Sequence, residues 1–113
     1  MTYDNEIRDI LSKISEVLNK NRDRRDAPID ELHHIKNLIM RLRTITQSTF
    51  DAGIMPYVID VIDDTVDDIN DIEKRYGDEN QSGMPAWILN EWVARRFMEE
   101  ITGEIPQEYA VSY

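Results

Sequence analysis

The chain has 113 residues, of which 41% are hydrophobic and 32% are charged, and its formal net charge is −10. This composition is typical of a single folded domain over residues 1–113 and excludes a disordered chain. The absence of cysteine excludes disulfides, thiolate metal sites and a cysteine nucleophile. The charged first ten residues lack a signal-peptide core, and no apolar run approaches the roughly 18 residues of a membrane span. The cytoplasm is therefore the default compartment.

The negative charge is unevenly distributed along the sequence. Residues 51–80 hold ten acidic and two basic side chains, a net charge of −8, whereas the rest of the chain holds thirteen and eleven, a net charge of −2. Such asymmetry indicates an acidic patch, which attracts basic partners and repels nucleic acid and anionic membranes. We therefore expect a basic protein partner, with no direct binding to nucleic acid or membrane.

Helix 1 is predicted over about residues 2–19, and a polar connection follows it. Its apolar residues recur at intervals of three and four, as on one helix face: Tyr3, Ile7, Ile10, Leu11, Ile14, Val17 and Leu18. This face is expected to form core, with a dimer face or a groove-binding face as the alternative. The connection, residues 20–27, carries a basic cluster of Lys20, Arg22, Arg24 and Arg25. Basic runs can bind phosphate, but two interleaved aspartates favour a solvated loop or pairing with a neighbouring subunit's acidic helix.

Helix 2 is predicted over about residues 28–50. Its apolar face consists of Ile29, Leu32, Ile35, Leu38, Ile39, Leu42 and Ile45. Glu31 and His34 have the Glu-x-x-His spacing of carboxylate-bridged di-iron bundles. Such a site needs a second copy of the motif, and the sequence has no histidine besides His33 and His34. We therefore predict no metal here and two partly exposed histidines at the edge of the helix.

Helix 3 is predicted over about residues 57–76. One face is apolar, at Met55, Ile59, Ile62, Val66, Ile69, Ile72 and Tyr76. The β-branched run at 57–62 leaves a short strand as an alternative. The other face carries six aspartates, which we call the Asp ridge: Asp60, Asp63, Asp64, Asp67, Asp68 and Asp71.

The Asp ridge is the candidate functional surface of the sequence. Helix residues three or four apart lie about 5–6 Å from each other, so these carboxylates repel one another, and aspartate is a weak helix former. Only Lys74 and Arg75 lie nearby in the sequence to neutralise them. One interpretation is a solvated helix face. The other, which we adopt, is a surface that imitates a row of phosphates and binds a basic partner.

The connection after helix 3 resembles half of a calcium-binding loop. Asp78, Asn80, Ser82 and Gly83 match the first half of an EF-hand loop. The twelfth position is Leu89, where calcium needs a bidentate glutamate, and the eighth is Pro85. Asp, Asn, Ser and Gly are also the common residues of loops. We therefore predict no calcium site.

Helix 4 is predicted over about residues 85–102, with a short tail at 103–113. Its inward face is expected to contain Ile88, Leu89, Trp92, Val93, Phe97 and Ile101. Met84, Trp87 and Met98 fall outside or at the margin of that face. Aromatic and methionine side chains outside a core face are interface candidates. A possible homo-oligomer interface is therefore assigned to Trp87, Met98, Tyr109 and Tyr113, and a dimer or larger assembly is expected.

The sequence predicts an all-α protein, an antiparallel four-helix bundle-like domain with a short C-terminal tail. The four glycines are too scattered for a phosphate loop and no Gly-x-Ser-x-Gly elbow is present, so we expect no enzyme and no cofactor. The preferred function is inhibition of a basic, nucleic-acid-handling protein, analogous in type to phage-encoded nucleic-acid mimics and to immunity proteins. The alternatives are a self-associating structural or adaptor subunit, whose acidity serves solubility, and a metal-binding or enzymatic domain.

Overall fold

A computed structural model describes residues 2–48, 55–77 and 83–104, with side chains described over residues 5–47, 58–77 and 83–101. Three α-helices come first: α1 (Thr2–Lys20), α2 (Ile29–Ser48) and α3 (Met55–Tyr76). The fourth helix begins as a π-helical segment, Ile88–Arg95, and continues as α4 (Arg96–Glu104). The predicted all-α class is confirmed, and helix rather than strand forms at 57–62. None of the described helices combines the length and apolarity needed to cross a membrane.

The helices form an antiparallel bundle in which each packs against its neighbour in sequence. Lys36 of α2 lies 2.9 Å from Glu73 of α3, and Arg43, two turns further along α2, lies 2.8 Å from Asp63, earlier in α3. Since one helix advances as the other recedes, α2 and α3 run antiparallel. The π-helical segment also packs against α1, which closes the bundle.

The core lies along the axis of the bundle and draws on all four helices. Predicted core residues of the first three helices are fully buried, among them Ile10, Leu11, Ile14, Leu32, Ile35, Ile39, Ile62 and Ile69. Burying a side chain of this size stabilises the fold by about 1.5–3 kcal/mol before the entropy cost of folding. The helix-period pattern of the sequence therefore locates the core faces of α1 and α2. In α3, Ile59, Val66 and Tyr76 of the predicted face are only half-buried, and Val58 is fully buried.

A two-stranded clasp joins two connections that the sequence presented as loops. β1 (Asp26–Ala27) pairs antiparallel with β2 (Met84–Pro85), and the Ala86 N–H donates to the Arg25 carbonyl oxygen at 2.9 Å. A Cβ on Gly83 would lie 2.6 Å from the Ala27 carbonyl oxygen, closer than real Cβ contacts, so glycine permits this approach. The clasp ties the α1–α2 connection to the start of the fourth helix.

The fourth helix departs most from its predicted inward face. Trp92, predicted inward, is 42% exposed, whereas Met84 and Met98, predicted at the margin, are buried. A π-helix closes i→i+5 hydrogen bonds, so it has more residues per turn than an α-helix. Buried positions accordingly recur every four residues, at 89, 93, 97 and 101 and at 90, 94 and 98. The α-helical period of 3.6 residues therefore does not describe this segment, and the predictions for Trp92, Met84 and Met98 are wrong.

Candidate partner-binding surface

The Asp ridge occupies the side of α3 that faces away from the core. α3 is fixed in rotation by its buried residues Val58, Ile62, Ile69 and Ile72. Since side chains 3.6 residues apart share a face, this packing turns the intervening aspartates outward. Asp60, Asp64, Asp67 and Asp71 are exposed, whereas Asp63 and Asp68 are partly buried at the two flanks of the helix.

The two flanking aspartates are paired with neighbouring helices. Asp63 accepts a hydrogen bond from the Arg43 Nε of α2 at 2.8 Å, and Asp68 lies 3.4 Å from the Arg96 Nη1 of α4. The sequence-based expectation that only Lys74 and Arg75 are close enough to neutralise the ridge is therefore wrong. Proximity in the sequence shows only the cations within α3, whereas Arg43 and Arg96 come close through the packing of other helices.

Four carboxylates remain, and we call them the acidic stripe: Asp60, Asp64, Asp67 and Asp71. Their spacing of four, three and four residues places them along one line of the helix surface. None of the four forms an ion pair with any residue in the described part of the chain. Lys74 and Arg75 are exposed in the last turn of α3. The stripe is thus a continuous row of solvated negative charge.

An aromatic pair lies on the exposed side of the fourth helix. The rings of Trp87 and Trp92 are stacked, with centroids 6.4 Å apart and planes inclined by 2°, and the side chains are 59% and 42% exposed. Residues five apart lie on different faces of an α-helix, but the wider turn of the π-helical segment brings these two together. The predicted exposure of Trp87 is confirmed, and Trp92 joins it as a partner that the α-helical period missed.

A groove of about 180 Å³ separates α3 from the π-helical segment, beside the aromatic pair. Its apolar walls are formed by Ile72, Tyr76, Ile88 and Trp92. Asp68, Asp71 and Arg75 form its polar rim. Because Asp71 belongs to both the groove and the acidic stripe, the two surfaces are continuous.

Of the remaining members of the predicted oligomer interface, the structure describes only Met98. Met98 is fully buried within the chain, so it is not available to a second subunit in this fold. Tyr109 and Tyr113 lie outside the described residues. Oligomerisation itself stays a prediction, and among the described residues the exposed aromatic pair supports it.

A polar network holds the end of the bundle where the basic cluster lies. Asn21 is fully buried, and its Nδ2 donates to the Val17 carbonyl oxygen at 2.9 Å and to Glu31 Oε2 at 3.0 Å. Lys20 Nζ donates to Glu31 Oε1 at 3.2 Å, and Asn90 Nδ2 donates to the Asn21 carbonyl oxygen at 2.6 Å. These bonds connect α1, α2 and the π-helical segment.

The same network sets the ionisation of Glu31. Burial raises the pKa of this carboxyl, but hydrogen bonds from Asn21 and Lys20 and the charge of Lys20 outweigh burial, so its pKa lies below the ordinary value of 4.5. Glu31 is therefore an anchored structural carboxylate. Its two carboxylate oxygens accept hydrogen bonds from Asn21 and Lys20.

The described residues bring together no group of three or more side chains suited to hold a metal ion. His33 and His34 are exposed, and His33 Nε2 lies 3.4 Å from Glu73 Oε2. The EF-hand-like loop falls mainly at residues 78–82, outside the described residues. Metal binding there stays at the level of the sequence-based prediction.

Comparison with known proteins gives no relative from which a function can be transferred: no protein-family model, no curated protein and no solved structure matches this chain.

Proposed function

We propose that this protein is a non-catalytic inhibitor that binds a Lys/Arg-rich, nucleic-acid-handling protein through its acidic stripe. The observation that carries the proposal is the stripe itself: four exposed carboxylates on one line of α3, without ion pairs among the described residues. A surface of this kind attracts basic partners and accelerates their association. Occupying the partner's nucleic-acid site would then inhibit it.

The spacing of the charges supports phosphate imitation. From Asp60 to Asp71 the helix rises about 16.5 Å, at about 1.5 Å per residue. The four unpaired carboxylates of the acidic stripe therefore follow one another every ~5.5 Å along the axis on average, compared with ~3.4 Å between phosphates of one DNA strand. A basic groove shaped for a strand of phosphates thus meets a regular row of negative charge, at a lower linear density than that of a DNA strand.

The stability cost of the stripe also favours a function for it. Asp60–Asp64, Asp64–Asp67 and Asp67–Asp71 are like-charge neighbours, and each such pair destabilises a helix by about 0.2–0.5 kcal/mol. Elsewhere on α3, cations of adjacent helices pair with Asp63, Asp68 and Glu73. A solvated face without a binding role has no need to keep four neighbouring carboxylates unpaired.

The proposal is tested with two variants of equal net charge. The stripe variant carries Asp→Asn at all four stripe positions, which changes the net charge from −10 to −6 and leaves Asp63 and Asp68 paired. The control variant removes four exposed carboxylates elsewhere: Glu16→Gln, Asp23→Asn, Asp26→Asn and Asp30→Asn. The parent and the control should capture the same basic protein from a host lysate at low salt, and the stripe variant should not.

Salt and nucleic acid refine this test. Raising the salt from 0.1 to 1 M shortens the Debye length from about 10 to 3 Å, so it should slow association more than it speeds dissociation. Duplex or single-stranded DNA should compete for the captured protein, since the stripe is proposed to occupy its nucleic-acid site. Equal capture by the stripe variant and the control would contradict the proposal.

Self-association is a second candidate, favoured by a different observation. Trp87 and Trp92 form an exposed stacked pair on the fourth helix. Aromatic side chains of this kind are enriched in protein interfaces. Sedimentation at micromolar concentration should reveal a dimer if a second copy covers the pair, whereas a monomer of 13.3 kDa would contradict self-association.

A further inference from the structure

The groove beside Trp92 has the size of an anchor site for one side chain. Its volume of about 180 Å³ is below the roughly 300–1,000 Å³ of pockets that hold small molecules. It is also far larger than the roughly 10–15 Å³ that one water molecule needs. A single long side chain of a partner therefore suits this space better than a metabolite or a lone water.

The chemistry of the walls points to one kind of side chain. Ile72, Tyr76 and Ile88 offer an apolar surface for an alkyl stem, Trp92 offers an aromatic face, and the exposed Asp71 offers a carboxylate. Arginine combines an apolar stem with a planar cation that stacks on tryptophan and binds a carboxylate through two hydrogen bonds. We propose that this groove binds one arginine side chain of the basic partner. This inference rests on the proposed function, because it specifies how that partner is anchored.

The π-helical segment supplies the aromatic face. Runs of π-helix are rare and occur mostly as single turns, frequently at functional sites. Here the segment spans eight residues, Ile88–Arg95, and turns Trp92 outward against Trp87. Trp87 does not line the groove, so it supports the Trp92 ring from beside it. The unusual backbone thus places an aromatic platform next to the last carboxylate of the acidic stripe.

Arg75 places a positive charge in the groove, which repels the positively charged side chain of a partner. It lines the groove and follows Asp71 by one helical turn, so its charge opposes an incoming cation. Lys74 is also exposed but does not line the groove. Arg75→Gln should therefore strengthen the binding of an arginine side chain more than Lys74→Gln does, although both changes alter the net charge equally.

The test compares a fluorescein-labelled oligoarginine peptide with an oligolysine peptide of the same length, by fluorescence anisotropy at low salt. Both tryptophans of the chain lie at this site, so intrinsic fluorescence reports directly on its occupation. The arginine peptide should bind at least about twofold more tightly, since a cation–aromatic contact contributes about 0.5–2 kcal/mol and about 1.4 kcal/mol corresponds to a tenfold change. It should also perturb the tryptophan emission more strongly.

Two matched pairs of variants separate the groove from the stripe. Trp92→Leu should abolish the preference for arginine, whereas Trp87→Leu, which removes only the support beside the Trp92 ring, should reduce it less. Asp71→Asn should reduce the preference, whereas Asp60→Asn, at the far end of the stripe, should weaken both peptides equally. Circular dichroism confirms that each variant is folded, which is expected because all four side chains are exposed.

Each alternative outcome has a distinct meaning. Equal binding of both peptides, weakened by Asp60→Asn, would overturn the arginine site and leave the stripe proposal standing. A preference for arginine that Trp92→Leu abolishes, together with affinities for both peptides that Asp60→Asn leaves unchanged, would support the groove and contradict the stripe. Binding of neither peptide would contradict both. Sedimentation showing a dimer that Trp92→Leu dissociates would assign the groove to a second copy and overturn the arginine site.

Discussion

Asn21 and Glu31 show how single polar residues fix the end of the bundle. The Asn21 side chain, just after α1, donates to the Val17 carbonyl oxygen of α1 and to Glu31 of α2, and its backbone carbonyl oxygen accepts from Asn90 of the fourth helix. A buried polar group without a partner costs about 1–3 kcal/mol, so the members of this network depend on one another. Glu31 is the titratable member, and it gives the network a pH dependence.

Acidification should weaken this network at Glu31. Because the folded pKa of Glu31 lies below its ordinary value of 4.5, the ionised carboxylate stabilises the fold above that value. This stabilisation is lost as the pH falls through the folded pKa. The free energy of unfolding, measured with urea, should therefore decrease less between about pH 5 and about pH 3 in Glu31→Gln than in the parent. Glu16→Gln controls for the loss of one carboxylate, and an equal effect in that control would contradict the prediction.

At the scale of the element, the fourth helix shows when the α-helical spacing of apolar residues predicts burial and when it does not. The first three helices follow the α-helical period, and residues such as Ile10, Ile35 and Ile69 are buried as predicted. The π-helical segment has more residues per turn, and no residue type in the sequence indicates this. The α-helical period therefore predicted Trp92 inward and Met98 at the margin. The clasp was missed for a related reason, since two-residue strands are too short to show alternation.

The stability of variants should follow the observed burial of the fourth helix. Met98 is fully buried, so Met98→Ala should cost about 2–5 kcal/mol, as for other large-to-small core substitutions. Trp92→Leu keeps an apolar contact at a half-exposed position and should cost less. Urea denaturation of the two variants measures both values. If Trp92→Leu lowered the free energy of unfolding more than Met98→Ala does, Trp92 rather than Met98 would be the core residue, as the α-helical period predicted.

At the scale of the whole molecule, the sequence predicts the positions of the helices and of the aspartates, but not the ion pairs between helices. The pattern of apolar residues was sufficient to predict four antiparallel helices, and the aspartates were sufficient to locate the Asp ridge. Which aspartates are neutralised depended on Arg43 and Arg96, and their reach across the bundle follows only from how the helices pack. The narrower acidic stripe and the groove beside it therefore required the structure.

The stripe variant should be more stable than the parent protein. Removing three like-charge contacts on α3 relieves about 0.2–0.5 kcal/mol for each pair. The gain should shrink at high salt, because exposed charges farther apart than the Debye length are screened. The control variant, with the same net charge, should gain less because its four changes lie outside the stripe. Unfolding at low and high salt measures this, and an equal gain in both variants would attribute it to net charge alone.

The clasp has a consequence for how long the folded molecule persists. Asp26 pairs with Pro85, 59 positions later, whereas consecutive helices meet through much shorter loops. Contacts between distant residues close slowly, so the clasp should form after the rate-limiting barrier. Gly83→Ala, which places a Cβ against the Ala27 carbonyl, should then accelerate unfolding and leave the folding rate nearly unchanged. Stopped-flow kinetics over a range of urea concentrations would show this as a shift of the unfolding limb alone, making the clasp a determinant of native-state lifetime.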